Sequence, residues 1–344
     1  FVARVVVLSF RLGGVDGVAI EARKWCDALT NLGHDVVTVA GEGDVDVAVR
    51  GLALSDADGP DQEVLAEVLE SADLVIVENL LSLPLNRAAA RVVTELRRGR
   101  PTLIRHHDLP WQRDQWIDVA SVPDDPAWTH VTINELSRRQ LAERGITSMT
   151  LYNSFDCAPP AGDRATTRAS LGITDQTLVL FPTRAIPRKN VGAAFDLCAR
   201  HDAVLWLLGA AEDGYAPVLT ELIATRDVEV RLGRTENMSI HDAYAAADLV
   251  VVPSTWEGFG NPVLESVTHQ RPLAVHPYPV LHEIESFGFD FTRLDDDARI
   301  ARELTQWPDD RASRHVELVR RHFNVDELPA KLEVLVDRAM NSDR

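Results

Sequence analysis

The feature that most limits how this chain can fold is an alternation, run through twice, of short apolar segments with stretches that are apolar at helical spacing. "RVVVLSF" (4–10) has the continuous hydrophobicity of a strand buried on both faces. The glycine-bearing "RLGGVDG" (11–17) follows, and then "VAIEARKWCDALTNLG" (18–33), whose apolar positions recur every third or fourth residue and end at Gly33. The series continues through "HDVVTVAG" (34–41), "ADLVIVEN" (72–79), "PTLIRHHD" (101–108), "WTHVTIN" (128–134) and "SMTLYNS" (148–154). A second series runs through "TLVLFPTR" (177–184), "AVLWLLGA" (203–210), "VEVRLG" (228–233), "DLVVVPS" (248–254) and "RPLAVHP" (271–277). Apolar strands with helices between them form parallel sheets covered on both faces. The expectation is therefore an α/β protein of two doubly wound, Rossmann-like domains facing each other across a cleft, with a helical C-terminal segment. The expected boundaries are 1–156 for the first domain, 157–176 for a Pro-, Ala-, Thr- and Gly-rich linker, 177–322 for the second domain and 323–344 for a C-terminal helix packing back on the first.

Composition supports this and narrows the function. The 344 residues are 45% hydrophobic, enough for two cores. The formal net charge of −18 is spread evenly over the two halves, which argues against a nucleic-acid partner, because phosphate contacts need a basic face. Cys26, Cys157 and Cys198 have no zinc-like or disulfide-like spacing, and a reducing cytoplasm fits them best. No apolar run is long enough to span a membrane, and the apolar start carries Arg4 and Arg11 and reads as a strand rather than a leader. The acidic runs at 44–46 and 295–297 read as solvated loops rather than metal ligands. The arginine-rich segment 86–100 reads as a sheet helix with a wet face.

In open α/β sheets ligands sit beyond the carboxyl ends of the strands, so the chemistry belongs in the loops that follow them. After "DLVVVPS" comes "TWEGFG", and then a helix expected from Pro262 to about His269 with Asn261 as its cap. Glu257 and Glu265 stand eight apart around Gly258, Phe259 and Gly260. Two carboxylates flanking a helix N-terminus suit a row of hydroxyls, an anion and further hydroxyls. An ordinary strand-loop-helix would look similar. "FPTRAIPRKN" (181–190) brings Arg184, Arg188 and Lys189 to another strand end, in a chain whose only other lysines are Lys24 and Lys331. That set suits a diphosphate, and Lys189 is expected in an exposed loop. In the first domain, "IRHHDLPWQR" (104–113) gathers Arg105, His106, His107, Trp111 and Arg113 at a strand end. An arginine fork and an indole face suit an acidic, hydroxylated acceptor. Pairing of these arginines with Asp108 and Asp114 is the plainer alternative. Gly13 and Gly14 lie in a loop able to approach a phosphate closely, although the spacing is not a dinucleotide fingerprint.

Taken together, these segments resemble the retaining, metal-independent nucleotide-sugar glycosyltransferases of the two-Rossmann-domain (GT-B) type, in particular the glycogen-synthase-like and mannosyltransferase-like family 4. "EGFGNPVLE" resembles that family's paired-glutamate motif, "TRAIPRK" its Arg…Lys diphosphate clamp, "HHDLPWQ" its first-domain histidine segment, "RLGGVDG" its glycine loop and "LYNSFD" the close of its first domain. Tyr152, Ser154 and the run "HQRPLAVHPYPVLHEI" (269–284) depart from the family pattern.

The resemblance implies catalytic roles for His107, Arg184, Lys189 and Glu257. Donor contacts would come from Gly13, Gly14, Gly258, Phe259, Gly260, Asn261 and Glu265, with Glu265 on the ribose and Glu257 on the hexose. Arg105, Trp111 and Arg113 are the expected acceptor residues. No metal or other cofactor is expected, only a co-substrate of the UDP-glucose or GDP-mannose type, and no stable membrane insertion. Two other readings stay open: an NAD-dependent oxidoreductase, which the glycine spacing disfavours, and a non-catalytic nucleotide- or sugar-binding protein.

Overall fold

The computed structural model describes residues 2–56, 58–307 and 310–341. The chain divides into two compact units, one of Phe1–Ser154 with Val325–Arg344 and one of Phe155–Asn324. The first contains β1 (Arg4–Leu12), α1 (Gly17–Asn31), β2 (Asp35–Gly43), β3 (Val47–Ala48), α2 (Gln62–Glu70), β4 (Leu74–Glu78), α3 (Arg87–Arg97), β5 (Thr102–His106), β6 (Trp128–Thr132), α4 (Glu135–Ala142) and β7 (Ser148–Thr150). The second contains α5 (Arg164–Ser170), β8 (Thr177–Phe181), α6 (Val191–Arg200), β9 (Ala203–Leu207), α7 (Ala216–Thr225), β10 (Val230–Leu232), α8 (Ile240–Ala246), β11 (Leu249–Val252), α9 (Asn261–Thr268), β12 (Leu273–Val275), α10 (Pro279–Glu285), β13 (Thr292–Arg293), α11 (Asp297–Gln306) and α12 (Asp310–His322). The last helix, α13 (Leu328–Met340), belongs to the first unit.

Both sheets are parallel. The first has the order β3-β2-β1-β4-β5-β6-β7, the second β10-β9-β8-β11-β12-β13. In each, the strand order reverses at one place, between β1 and β4 and between β8 and β11. The loops that follow those four strands flank a switch point, where doubly wound sheets bind ligands. The glycine loop after β1, the Arg-Lys loop after β8 and the "TWEGFG" loop after β11 all lie there.

The strands are continuous apolar runs because helices cover both faces: Val5–Leu8, Leu74–Val77, Val179–Phe181 and Leu249–Val252 are buried. Helix α13 joins the first core through Leu328, Leu332, Leu335, Val336 and Ala339, packed with Trp25 and Leu29 of α1 and Leu74 and Ile76 of β4. Their spacing of four and three residues keeps them on one helical stripe.

Within 157–176, the segment read as a linker, residues 164–170 form helix α5, and its arginines tie it to the second unit. Arg164 donates to the carbonyls of Ala245, Ala246 and Ala247 and pairs with Asp248, and Arg168 takes the other oxygen of Asp248 at 3.0 Å.

Candidate active site

In the second unit the Arg-Lys loop and the "TWEGFG" loop are locked together. Pro187–Lys189 forms a short 3-10 turn, and the N–H of Thr255 donates to the carbonyl of Arg188 at 3.0 Å. Glu257 lies between two cations. Its Oε2 accepts from Arg188 Nη1 at 3.1 Å, and its Oε1 accepts from Lys189 Nζ. Arg188 also donates to the carbonyl of Trp256 at 3.0 Å.

Lys189 is therefore not in an exposed loop, as expected, but 6% exposed. A carboxylate 68 positions further along the chain draws it inward. Burial pushes the Glu257 carboxyl up, but Lys189 and Arg188 outweigh burial and hold it at about 2. Burial lowers the Lys189 ammonium while Glu257 raises it again. The carboxylate side decides the balance, because one anion faces two cations, and the cluster keeps one positive charge in excess. Arg184 stands apart, pairing with Glu212 at 2.6 Å in a partly exposed bridge.

The turn after Glu257 is fixed by geometry. Gly260 has φ +91°, and a Cβ there would lie 2.1 Å from the hydroxyl of Tyr278. That hydroxyl donates to the carbonyl of Phe259 at 3.0 Å, and the Phe259 ring is buried against Phe155 and Phe323. Only glycine satisfies both the backbone and the space. Gly260, not Asn261, is the cap of α9, and Asn261 and Pro262 are its first helical residues. Gly260 has no side chain with which to cap this N-terminus, whose dipole end is positive. Gly258 lies between Glu257 and Phe259, in the same turn.

Glu265 lies on α9, and its Oε2 accepts from the buried hydroxyl of Tyr244 on α8 at 2.7 Å. Burial and the adjacent Glu265 push the Tyr244 phenol well above its ordinary range, so the phenol stays a donor. His269 Nδ1 donates to the carbonyl of Glu265 at 2.7 Å, and its other nitrogen meets His241 Nδ1 at 2.9 Å. Burial holds the His269 ring at about 4, so it is neutral at physiological pH. Tyr244 stacks on His269 at 4.4 Å, which completes a rigid support under Glu265.

In the first unit Glu78, the last residue of β4, organises the histidine segment. Its Oε2 accepts from His107 Nε2 at 2.6 Å and its Oε1 from Arg105 Nη1 at 3.1 Å. Burial would raise Glu78, but Arg105 and His107 hold it below the ordinary carboxylate range. Asn79 adopts φ +60° and accepts from the N–H groups of His107 and Asp108. His106 points the other way and bonds Ser82 and His130.

Of the expected acceptor residues, Arg105 needs correction. Arg105 is fully buried, with its fork spent on Glu21, Glu78 and Asn153 and its plane over Trp25 at 4.1 Å. Its Nε lacks a hydrogen-bond partner, but that atom is buried too. Trp111 donates to Gln140 at 3.0 Å, and Arg144 covers one face of its ring at 3.6 Å. Arg113 pairs with Asp108 at 2.7 Å, the plainer alternative.

In the glycine loop, Gly13 has φ +75° and lies against Asp44, while Gly14 meets little around it. The carbonyls of both accept from Arg23. Asp16 caps α1 by accepting from Val18 and Ala19. Among the described residues no group of three His, Cys, Asp or Glu is gathered as a metal ion would need, and no helix is long and apolar enough to cross a membrane.

Sequence reasoning missed Glu78, Tyr244 and Tyr278. A carboxylate ending a buried apolar strand was a usable signal for Glu78. Tyr244 and Tyr278 gave none.

Residues 163–316 match the family described as glycosyl transferases group 1. The chain is 26% identical to the mannosylglucosylglycerate synthase of Thermotoga maritima, over 85% of each chain. It is 25% identical to the enzyme of that name from Petrotoga mobilis, over 86% of this chain and 87% of that one. Its fold matches that of Anabaena HepE, solved with UDP and glucose, at a TM-score of 0.77 and 17% identity, over 97% of this chain and 99% of that one. The group 1 glycosyltransferase family thus matches residues 163–316, these relatives support a glycosyltransferase, and the two parallel sheets share the two-Rossmann-domain (GT-B) fold.

Proposed function

We propose that the protein is a retaining hexosyltransferase that moves glucose or mannose from a nucleoside-diphosphate sugar to a small, anionic, hydroxylated acceptor. The observation that carries this reading is the cluster of Arg188, Lys189 and Glu257 in the loops that precede α9. It presents an excess positive charge on a rigid loop, with a second held carboxylate, Glu265, eight residues further along. The relatives named as mannosylglucosylglycerate synthases make a product bearing glycerate, which is a carboxylic acid, and this supports the acidic acceptor. The HepE structures hold UDP, glucose and UDP-glucose, which supports a nucleotide-sugar donor.

In this reading Glu265 accepts from the ribose hydroxyls and Glu257 from the hexose. Arg184, Lys189 and the N–H groups around Gly258 to Asn261 stabilise the diphosphate as it leaves. Arg184 can turn to it at little cost, because a partly exposed ion pair such as Arg184–Glu212 is worth only about 0–1 kcal/mol. His107, oriented by Glu78, contacts the sugar near its anomeric carbon. The bond from that carbon to the β-phosphate oxygen breaks, and its electron pair goes to the phosphate. The acceptor oxygen bonds the same face, and its proton passes to the leaving phosphate oxygen. No metal is assigned to the reaction, because these cationic groups meet the charge.

The test is nucleotide release from UDP-glucose and GDP-mannose, with glycerate and glucosylglycerate as acceptors against neutral polyols, with and without excess chelator. Release that requires an acidic acceptor and survives chelation is expected. Equal use of neutral acceptors, or complete loss on chelation restored by Mg²⁺, overturns the corresponding part of the reading.

A further inference from the structure

The first unit contains an open pocket of about 410 Å³ that none of the roles above uses. It lies among the loop following β4, helix α3 and the segment 119–123. Its lining is mostly apolar, including Leu80, Leu83, Pro110 and Val122. A volume of this size accommodates a small organic molecule.

The polar groups of the pocket are few and specific. Arg87 and Arg91 both line it. Four residues apart on α3, they lie on one face of the helix. Both are exposed, and neither has an ion-pair partner among the described residues, in a chain of net charge −18. They stand on the first turns of an 11-residue helix, where the backbone dipole adds positive potential. Thr94, one turn further on, lines the pocket too, and its buried hydroxyl has no hydrogen-bond partner. A buried hydroxyl left unbonded is costly unless something else bonds it.

Ser82 also lines the pocket; its hydroxyl meets His106 Nδ1 at 2.8 Å, and His106 Nε2 meets His130 Nδ1 at 2.9 Å. The walls are rigid: Asn86, the cap of α3, donates to the carbonyls of Gly51 and Ala53 and accepts from Ala89.

An apolar pocket with a pair of unmatched arginines on one wall and the unbonded hydroxyl of Thr94 suits one kind of ligand. We propose that it binds a small amphipathic anion, with an apolar body inside and a carboxylate or phosphate at Arg87 and Arg91. Such chemistry occurs in soluble acids and in anionic lipids, and the test separates these sources.

The probe is octyl phosphate, titrated calorimetrically into the full chain, with octyl glucoside and inorganic phosphate as controls. One site per chain is expected for octyl phosphate, with both controls weaker by about tenfold or more, since each lacks half of the recognised chemistry. Arg87→Glu with Arg91→Glu reverses two exposed charges, which leaves folding intact, and should weaken octyl phosphate by about tenfold or more. Ala90→Trp, which fills the pocket, should remove binding. Flotation with anionic vesicles that is lost in the double variant identifies a lipid source. Binding of octyl phosphate without flotation identifies a free acid. Equal binding of octyl glucoside, or unchanged binding by the charge-reversed variant, overturns the proposal. Calorimetry needs no turnover, so failure here is separable from failure of the transferase reading.

Discussion

Lys189 and Glu257 should prove strongly coupled in folding as well as in turnover. Consider Lys189→Met, which removes the ammonium and keeps most of the volume. Two unit charges about 4 Å apart interact by roughly 4 kcal/mol at the effective dielectric suited to such sites. An independent route uses Glu257 itself. A carboxyl held at about 2 instead of its ordinary 4.5 corresponds to roughly 3 kcal/mol of stability at neutral pH. Arg188 supplies part of that hold and remains in the variant, so the loss for Lys189→Met should be about 2–3 kcal/mol. Glu257→Gln should cost about 3–5 kcal/mol, because it leaves the buried ammonium unmatched. The double variant should cost clearly less than the two losses together.

The assay is urea denaturation of all four proteins, followed through the transition that the substitutions move. The pH dependence adds a second reading. Glu257 has a depressed folded-state value, so its contribution is complete above its ordinary 4.5 and fades as the pH falls toward 2. The gap between native protein and Lys189→Met should therefore be full at neutral pH and narrow steadily below 4.5. A coupling under about 0.5 kcal/mol, or a gap that ignores pH across that window, would refute the reasoning.

Arg184→Ala should behave in the opposite way, lowering turnover on the order of 10²-fold while the urea midpoint barely moves. Glu265→Ala should weaken the free nucleoside diphosphate by roughly 1.5–3 kcal/mol in a calorimetric titration, whereas Glu257→Gln should affect the sugar nucleotide more than the nucleotide. Tyr244→Phe should reproduce a smaller part of the Glu265→Ala loss, by about 1 kcal/mol, with nucleotide affinity as the measurement. Arg105→Ala should destabilise by about 3–5 kcal/mol, seen as a lowered denaturation midpoint, because Glu21 and Glu78 stay buried without it.

The strands were legible because a parallel strand buried on both faces is a continuous apolar run, as in 4–10, 74–77 and 249–252. The two-residue edge strands β3 and β13 carry too little pattern to be seen. Loops that end on a glycine, proline and charge were legible too, since those residue types are rare outside turns and ligand sites. What could not be read was burial. Arg105 and Lys189 are charged residues at strand ends, which suits both a ligand and an internal partner. Which of these holds depends on Glu78 and Glu257, brought near by the sheet from 27 and 68 positions away. The linker composition of 157–176 misled for a related reason. Proline and small residues mark a break in the pattern, but Arg164 and Arg168 find Asp248 only once β11 is in place.

The two halves meet one requirement in the same way. Strand β4 in the first sheet and β11 in the second occupy equivalent places beside the switch point. Each is followed closely, or ended, by a buried carboxylate that takes two nitrogen donors, Arg105 and His107 for Glu78, Arg188 and Lys189 for Glu257. A buried carboxylate without partners would be costly, and one with two donors is held in a single orientation. That orientation passes to the donors, so the imidazole of His107 and the ammonium of Lys189 are placed before any ligand arrives. Preorganised charge needs no rearrangement at the moment of bond breaking, which is the condition for stabilising a leaving diphosphate effectively. The carboxylates are thus as much a part of the site as the cations they hold. Substitutions at Glu78 should accordingly impair turnover through His107 even though its own side chain is fully buried.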